Sequence, residues 1–309
     1  MNIVGRRSWY FAIAGLLVLI SIVALAVFQL KPGLDFASGS LMTVHFDQPV
    51  TQDALRQELD TLNYQNATIQ QDSAGDHIIH TLELSDAAKN QLISDLTAKF
   101  GTITGGAPLA YDKVDKGDAV TAVRNATIAI IVSVGFMLLY IAWAFRKMPN
   151  PFRFGICAVA GLAFDVLITL GFYSILGKAG GWEVDLMFVA GILAVLGFSI
   201  NNTIIVFDRI RENTARGVSP DMEIVANFSI VQTLGRSFNT CITVLFTLFV
   251  LSVFVGSSIQ NFVTVLIIGV ISGVFTSTCL APEMLVAWAK KGSKDSAGRT
   301  KLVAAKVKS

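Results

Sequence analysis

Charged residues are scarce in this chain of 309 residues. Asp, Glu, Lys and Arg together make up 15% of the sequence, whereas a soluble globular domain carries about 25%. Hydrophobic residues make up 53%, and the mean hydropathy is +0.62. The shortage of charge excludes an ordinary soluble domain and indicates an integral membrane protein.

Cysteine and histidine are also rare. The three cysteines lie inside apolar runs, and neither their odd number nor their spacing fits a disulfide framework or a zinc site. Two of the three histidines fall on opposite faces of one predicted strand, because strand side chains alternate. We therefore expect no metal centre. The residues concerned are Cys157, Cys241, Cys279, His45, His77 and His80.

The sequence lacks the signatures of enzymes. It contains no phosphate-binding loop of the P-loop type, so ATP hydrolysis has to come from a partner. An intramembrane aspartyl protease needs two facing carboxylates, and Asp165 is the one carboxylate that we place near the middle of the membrane. We expect a protein that is not an enzyme and that needs no cofactor.

The formal net charge of +2 hides an uneven distribution. From Asp35 to Asp118 there are thirteen acidic residues against five Lys and Arg, a balance of −8. The rest of the chain carries +10, mostly next to apolar runs. Because basic flanks of membrane spans stay in the cytoplasm, this split favours a membrane topology over nucleic-acid binding.

Six apolar runs are long enough to cross a bilayer, which takes about 20 residues. The length of the first run favours a retained helix over a cleaved signal peptide, and no small-x-small cleavage pattern closely follows it. The last run is longer than a span needs, so we expect it to tilt or to extend past the membrane. The runs are about Tyr10–Leu30, Asn125–Phe145, Phe154–Leu176, Val184–Phe207, Phe238–Val255 and Phe262–Ala289.

A polar segment separates the first two spans. Its pattern predicts the order β-α-β-β-α-β, which is that of a ferredoxin-like α+β domain. Thr51 is the predicted N-cap of the first helix, and Ser85 opens the second. The predicted strands are Leu41–Phe46, Ala67–Gln71, Ile78–Leu84 and, with less definition, Pro108–Tyr111, with a turn at Asp72–Asp76.

The basic residues predict the topology of the six-helix membrane protein. With a cytoplasmic N-terminus, the acidic segment lies outside, and the segments Arg146–Arg153 and Asp208–Arg236 and the tail lie inside. The outer loops Gly177–Glu183 and Gly256–Asn261 carry little positive charge. The expected divisions are residues 1–34 with the first span, an extracytoplasmic domain over 35–118, a helical bundle over 119–290 and a cytoplasmic tail over 291–309.

The basic tail has little apolar surface to bury, so we expect it to be disordered. A role in setting the topology is favoured over binding to anionic lipid or to ribosomal RNA. We expect the lipid bilayer, and no nucleic acid, among the partners of the chain.

Polar side chains interrupt the fourth span in the stretch Val195–Asn213. This stretch begins in an apolar run and ends in a cluster of charged residues. Ser199, Asn201, Asn202 and Thr203 fall where the span is still expected to be inside the membrane. Polar groups at that depth are costly and are usually kept for a function. An interhelical hydrogen bond is the structural alternative.

Helical geometry brings two of these polar positions to a similar depth. At about 1.5 Å per residue, Asp165 lies roughly 16 Å and Asn202 roughly 12 Å from the cytoplasmic face. Thr243 and Thr247, one turn apart on the fifth span, share a side. For Asp165, a proton carrier and a structural carboxyl bonded between helices remain equally open.

Several segments carry a family likeness. GLDFASGS follows the first span with Ser38 in place of a glycine, and FDVLITLGFYSILG forms Phe164–Gly177. Glu183–Asn213 ends in DRIREN, and TLGRSFNTCITVLF forms Thr233–Phe246. Nearly the whole chain resembles the SecF family of bacterial protein export, within the resistance-nodulation-division superfamily.

The resemblance implies a role in protein export at the bacterial plasma membrane. A SecF-like chain would form a twelve-span assembly with SecD beside the SecYEG channel. It would help to pull preproteins across the membrane with energy from proton flow. Its outer domain would take part in substrate handling.

One departure from the family pattern matters most. Where the family reads I-N-D-T, this chain has Ile200, Asn201, Asn202 and Thr203. The resemblance makes the position of Asn202 a proton-relay site, yet an amide cannot titrate. It also makes Arg236 a cation at the cytoplasmic mouth, for which an ordinary basic flank is the alternative.

Other polar positions receive supporting roles. We expect Asn201, Thr203, Thr243 and Thr247 to orient and pack the relay. The charged end of the fourth helix is expected to couple that helix to the cytoplasmic loop through Asp208, Arg209 and Arg211. A G-x-x-x-G at Gly269 and Gly273 allows close helix packing, but it is common in membrane helices.

Three functions follow from these observations. The first is a SecF-like translocation subunit coupled to the proton gradient. The second is a superfamily export pump for lipids or drugs, although such pumps usually carry both halves and larger outer domains in one chain. The third is a non-conducting scaffold of the translocon, which Asn202 keeps open.

Overall fold

The computed structural model describes residues 3–71, 75–103, 108–146, 148, 151–180, 182–254 and 259–290. Six predicted features lie wholly or partly outside the described residues. They are the turn at Asp72–Asp76, the basic segment Arg146–Arg153, the outer loops Gly177–Glu183 and Gly256–Asn261, the end of the run Phe238–Val255 and the tail 291–309.

A small α+β unit follows the first long helix, as the sequence predicts. A 3-10 turn at Val4–Arg6 precedes the first long helix. In order, the elements are α1 (Arg7–Phe28), α2 (Leu34–Ala37), β1 (Gly39–Val44), α3 (Gln52–Thr61), β2 (Thr68–Gln71), β3 (His77–Thr81), α4 (Asp86–Phe100) and β4 (Ala110–Val114). We call the unit from β1 to β4, residues 39–114, the sheet domain.

The four strands form one antiparallel sheet in the order β2-β3-β1-β4. Met42 of β1 pairs with Ile79 of β3 and with Tyr111 of β4, which fixes the register. The predicted caps are confirmed, because the Thr51 and Ser85 side chains accept from backbone N–H groups of the first turns of α3 and α4. The buried face of the sheet packs against apolar side chains of both helices, among them Leu55 and Leu92.

The structure has six helices that are long and apolar enough to cross a membrane. The first is α1. The others are α5 (Lys116–Ala144), α6 (Pro151–Gly180), α7 (Leu186–Ala215), α8 (Met222–Phe254) and the sixth span Gln260–Lys290, whose first part is α9 (Gln260–Phe275).

Three helices extend well beyond the apolar runs that predicted them. α5 starts at Lys116 rather than Asn125, α7 ends at Ala215 rather than Phe207, and α8 starts at Met222 rather than Phe238. The added turns stay helical because they are amphipathic, with Val225 and Ile230 of α8 buried in the core. The segment predicted as a cytoplasmic loop is therefore mostly helical.

The sixth span contains a π-helical turn at Thr276–Leu280. Its local cause is visible in the sequence, because Pro282 has no backbone N–H to donate to the preceding turn. The hydroxyls of Ser277 and Thr278 also donate to the carbonyl of Val274, at 3.1 and 2.6 Å. The helix then continues to Lys290.

The bundle is organised around α7, which lies against α5, α6, α8 and α9. The G-x-x-x-G of the sixth span faces α7 of the same chain. A Cβ atom at Gly269 would lie only 2.1 Å from a methyl carbon of Val195. Only glycine allows this approach, so the motif fixes a helix pair within this chain.

The two ends of the bundle differ. The sheet domain follows α1 and precedes α5, and it contacts the connection between α6 and α7. The opposite end carries Arg7 and Lys290, and Lys290 forms an ion pair with Glu223. We call these the sheet end and the basic end. Helices α1, α5 and α8 leave much of their apolar surface exposed.

Candidate functional site

A carboxylate lies at the centre of the bundle, held by hydroxyl groups from two neighbouring spans. Asp165 of α6 is fully buried. Its Oδ2 accepts a hydrogen bond from Ser199 of α7, and its Oδ1 accepts from Ser272 at 2.5 Å and Thr276 at 2.6 Å, both on the sixth span. We call these four residues the Asp165 cage. It joins three helices at one buried carboxyl group.

Glycines bring the hydroxyls of the cage within reach of the carboxylate. A Cβ atom at Gly273 would lie 3.2 Å from Cβ of Ser199, so α7 and the sixth span touch nearly backbone to backbone. On the other side, a Cβ atom at Gly161 of α6 would lie 2.7 Å from Cγ2 of Thr276. Larger residues at these positions would separate the helices that carry the cage.

The cage can serve the carboxyl group in both protonation states. Hydroxyl groups donate to an ionised carboxylate, and the same groups accept from a protonated one after rotation. An unpaired charge at this depth would cost several kcal/mol, roughly, and the three donors offset that cost. The arrangement therefore fits a group that takes up and releases a proton without rearranging the helices.

Asn202 lies one turn from the cage, on the same helix as Ser199. It is fully buried, and its Nδ2 donates to the carbonyl of Phe198 at 3.3 Å. Among the described residues, no donor reaches its Oδ1. The predicted neighbourhood is therefore present, because Asp165 bonds to α7 three residues before Asn202, but the amide itself has no protonatable group.

Four of the other predicted residues of the relay lie on exposed faces of their helices. Arg236, Thr243 and Thr247 are exposed on α8, and Asn201 is exposed on α7, whereas Thr203 is buried. The two threonine hydroxyls donate to carbonyls of their own helix, each at 3.0 Å. The structure thus does not bring Arg236, Thr243 or Thr247 into the Asp165 cage.

The charged end of α7 is tied to itself and to α8. Asp208 forms an ion pair with Arg211 at 2.6 Å, and Arg209 bonds to Glu212 at 2.5 Å. Arg209 also donates to Gln232 of α8 at 2.5 Å. These contacts join the end of α7 to α8.

The sheet end contains a second polar cluster that the sequence analysis missed. Glu183, just before α7, is nearly buried and accepts from Thr68 of β2 at 2.9 Å. His80 of β3 lies 3.1 Å from the same carboxylate. The carbonyl of Glu183 accepts from Tyr173 and Asn261. Glu183 thus joins the sheet domain to three spans.

The GLDF segment strengthens the same junction. The N–H of Gly33 donates to the carbonyl of Val184 at 2.7 Å, and the N–H of Val184 donates to Lys31 at 2.8 Å. Asp35 accepts from the N–H of Leu186, at the first turn of α7. A carboxylate is favourable at a helix N-terminus, so this contact anchors α7.

Sequence reasoning missed Ser272, Thr276 and Glu283 in the sixth span. The signal was present, because TSTC at Thr276–Cys279 is a polar run inside an apolar helix. No group of three or more His, Cys, Asp or Glu residues in the described parts of the chain could hold a metal ion.

Two family models match the chain. The model of the protein export membrane protein SecD/SecF C-terminal domain matches residues 107–291, and the SecD/SecF GG motif matches residues 23–50. The second match contains the GLDF segment that holds α7. The first contains the whole Asp165 cage.

Similar proteins cover almost the whole chain. The protein translocase subunit SecF of Thermobaculum terrenum is 36% identical over 94% of this chain and 95% of its own length. The protein translocase subunit SecDF of Bacillus subtilis is 29% identical over 95% of this chain. Here the chain spans only 39% of the relative.

A solved structure has the same fold. The crystal structure of SecDF from Thermus thermophilus, described as a translocon-associated membrane protein, matches 94% of this chain with a TM-score of 0.83 and 27% identity. The chain spans 39% of that protein. With the family models and the full-length relatives, this match shows that the chain belongs to the SecD/SecF family of protein export membrane proteins, as a member of the SecF type.

Proposed function

We propose that this chain is an auxiliary subunit of the Sec translocase that works with SecD to drive preprotein export with the proton gradient. The match to SecF proteins over nearly their entire length carries the assignment to the translocase. The Asp165 cage, a buried carboxyl group that three hydroxyls serve in the middle of a membrane bundle, supports the proton coupling.

SecD is the proposed direct partner. In the Bacillus subtilis relative, one chain carries both names, and this chain accounts for 39% of it. Helix α8 offers a matching surface, because Arg236, Asn239, Thr243 and Thr247 form an exposed polar stripe with helical spacing. A charged and polar stripe facing lipid is costly, so we place SecD against it.

The relay residues are assigned within that assembly. Asp165 carries the proton, and Asn202 orients the neighbouring turn of α7 without titrating. Arg236, with Thr243 and Thr247, faces the SecD half, where a cation can act on protonatable groups of the partner. Asp208, Arg209 and Arg211 transmit movement of α7 to α8. Asn201 and Thr203 support the packing of α7.

The topology proposed from the sequence agrees with the two ends of the bundle. We place the basic end, with both termini, in the cytoplasm and the sheet domain outside. The strand order β2-β3-β1-β4 with two helices on one face supports the ferredoxin-like assignment of residues 35–118. Residues 1–34, 119–290 and 291–309 are then the first span, the remaining bundle and the cytoplasmic tail.

The wider assembly follows from the same proposal. The chain acts beside the SecYEG channel on preproteins in the bacterial plasma membrane, and it binds no nucleic acid. It is not an enzyme, because ATP hydrolysis belongs to another component. A non-conducting scaffold is the second candidate, and the specific observation in its favour is the amide at Asn202, in a place where the family carries a carboxylate.

Reconstituted vesicles test the assignment. Vesicles with SecYEG and SecD are compared with and without this chain, each with and without a proton gradient. We expect the gradient to increase export only when the chain is present. Equal export with and without the chain would contradict the proposal.

The variant Asn202→Asp separates the two candidate functions. It restores a titratable group beside the cage and is expected to raise the gradient-dependent part of export. If the chain is a scaffold, the wild type and Asn202→Asp should support the same export, and neither should depend on the gradient. Asn202→Ser, which is polar but cannot titrate, is the matched control.

A further inference from the structure

Glu283 is a second carboxylate buried among the spans. It lies in the sixth span and is fully buried. Among the described residues, no hydrogen-bond donor reaches either of its carboxylate oxygens. An ionised carboxylate in this position lacks the donors that it needs, so the site favours a group that binds a proton.

The position of Glu283 relates it to the Asp165 cage. Thr276 donates to Asp165, and Glu283 follows seven residues later, roughly 10 Å nearer the basic end by helical rise. The side chains between them include Ser277 and Thr278, both buried, and Cys279. The polar run Thr276–Cys279 thus lies between the two carboxyl groups, and the apolar residues Leu280, Ala281 and Pro282 complete the segment before Glu283.

The surroundings of Glu283 lead to the basic end. The charge of Arg7 on α1 acts on Glu283, and Tyr10 on the same helix and Cys279 are close enough to interact with it electrostatically. Among the charged groups that the structure describes at the basic end, Arg153 of α6 lies over the ring of Trp288, and Glu223 of α8 pairs with Lys290.

We propose that Glu283 is the acceptor that takes the proton from Asp165 and delivers it to the basic end. The inference rests on the proposed proton coupling and extends it by naming a route inside this chain. In the transfer step, the carboxylic acid of Asp165 loses its proton and becomes a carboxylate. Glu283 gains that proton and becomes the acid, with hydroxyls or water along Thr276–Cys279 carrying it across.

The route resolves the difficulty that Asn202 poses. A relay through position 202 would need a titratable group there, and Asn202 has none. A relay from Asp165 to Glu283 uses carboxyl groups of α6 and of the sixth span. The π-helical turn at Thr276–Leu280 lies directly on this route, and such turns are frequent at functional sites.

Three variants test the inference in the complete complex with SecD and SecYEG in vesicles. Glu283→Gln keeps the shape and removes the proton site, so we expect loss of most gradient-dependent export while the ATP-driven part stays unchanged. Glu283→Asp keeps a titratable carboxyl and is expected to retain part of the gradient dependence, which a purely steric role does not explain. Glu223→Gln, an acid at the same end but outside the route, is the control.

Two outcomes separate this inference from the proposed function. If Glu283→Gln keeps full gradient dependence while Asp165→Asn loses it, the route through Glu283 is wrong and the proton coupling stands. If Asp165→Asn also keeps it, both are wrong. Infrared difference spectra on a pH step supply an independent reading, because Glu283→Gln should remove one carboxylic-acid band, and an unchanged spectrum would overturn the inference.

Discussion

At the residue scale, the backbone of Ser38 adopts a conformation that its side chain disfavours. Its φ of 58° and ψ of 150° lie in a region that glycine adopts easily and other residues rarely do. The family segment that GLDFASGS resembles carries a glycine in this place. The GG-motif match thus has a physical meaning, because the chain must turn sharply between α2 and β1.

The variant Ser38→Gly is expected to stabilise the protein. Removing the strained side chain should raise the free energy of unfolding by about 1–3 kcal/mol, less the added freedom of glycine in the unfolded chain. Thermal unfolding of the purified chain in detergent measures the change. Gly39→Ala is the opposite control, because a Cβ atom there would lie 2.3 Å from the carbonyl oxygen of Thr81. A lower melting temperature for Ser38→Gly would contradict the account.

His77 predicts a pH dependence of the sheet domain. Burial lowers the pKa of His77 below its usual 6.5. A backbone hydrogen bond with Val50 and the charge of Asp76 raise the pKa, but their effect is smaller than that of burial. The unfolded domain therefore binds more protons than the folded one, so its stability is present above about pH 6.5 and falls as the pH drops below it. The ring packs beside Phe46 with 5.8 Å between centroids.

The replacement His77→Phe is expected to flatten this dependence. Hydrogen exchange of the β3 amides in the whole protein, corrected for the intrinsic effect of pH, measures the stability at about pH 5 and pH 8. The wild type should lose more protection at the lower pH than His77→Phe does. Equal losses of protection in the two proteins would show that the pKa of His77 is not lowered and would contradict this prediction.

At the scale of helices, the contact of α7 with the sixth span determines whether the cage forms. Gly269→Ala should push the two helices apart, because its Cβ atom would meet Val195, and overpacking of this kind costs about 1–3 kcal/mol. The loss of stability should come with reduced gradient-dependent export. Gly197→Ala is the matched control on α7, since nothing lies within 4 Å of its added Cβ atom. Equal losses of stability and export in the two variants would contradict the role of the contact between α7 and the sixth span.

The sequence predicted the elements better than it predicted their contacts. Hydrophobic runs predicted all six spans, and the alternating pattern with Thr51 and Ser85 predicted the strands and helices of the sheet domain. The helices predicted for α5, α7 and α8 were too short, because the length of an apolar run does not include the amphipathic turns that extend it. The π-helical turn was not predicted, since its cause lies in the combination of Pro282 with back-bonding hydroxyls.

The site was only partly accessible from the sequence. Asp165 and Asn202 stood out because polar groups are rare in spans, and their similar depth followed from helical rise. The partners of Asp165 did not stand out in the sequence, because Ser and Thr are common residues. The role of Ser272 and Thr276 depends on the close approach of the helices that Gly273 and Gly161 permit. The exposure of Arg236 on α8 also needed the packed bundle, since periodicity alone does not tell which face a neighbour covers.

At the scale of the whole molecule, one carboxylate joins the sheet domain to the membrane bundle. Glu183 contacts β2 and β3 on one side and, through its carbonyl, the side chains of Tyr173 and Asn261 on the other. It lies three residues before α7, the helix that contributes Ser199 to the cage. We therefore expect a movement of α7 to reach the sheet domain, which would give the proposed proton step a mechanical output.

The central claim is that Asp165 couples the proton gradient to export. The most direct measurement is gradient-dependent export in vesicles that contain SecYEG, SecD and the Asp165→Asn variant. Thr169→Ala is the matched control on α6, since that hydroxyl bonds the backbone carbonyl of Asp165 at 2.7 Å. We predict that Asp165→Asn loses the gradient-dependent part and keeps the ATP-driven part. Export by Asp165→Asn that responds to the gradient as fully as the wild type would contradict the claim.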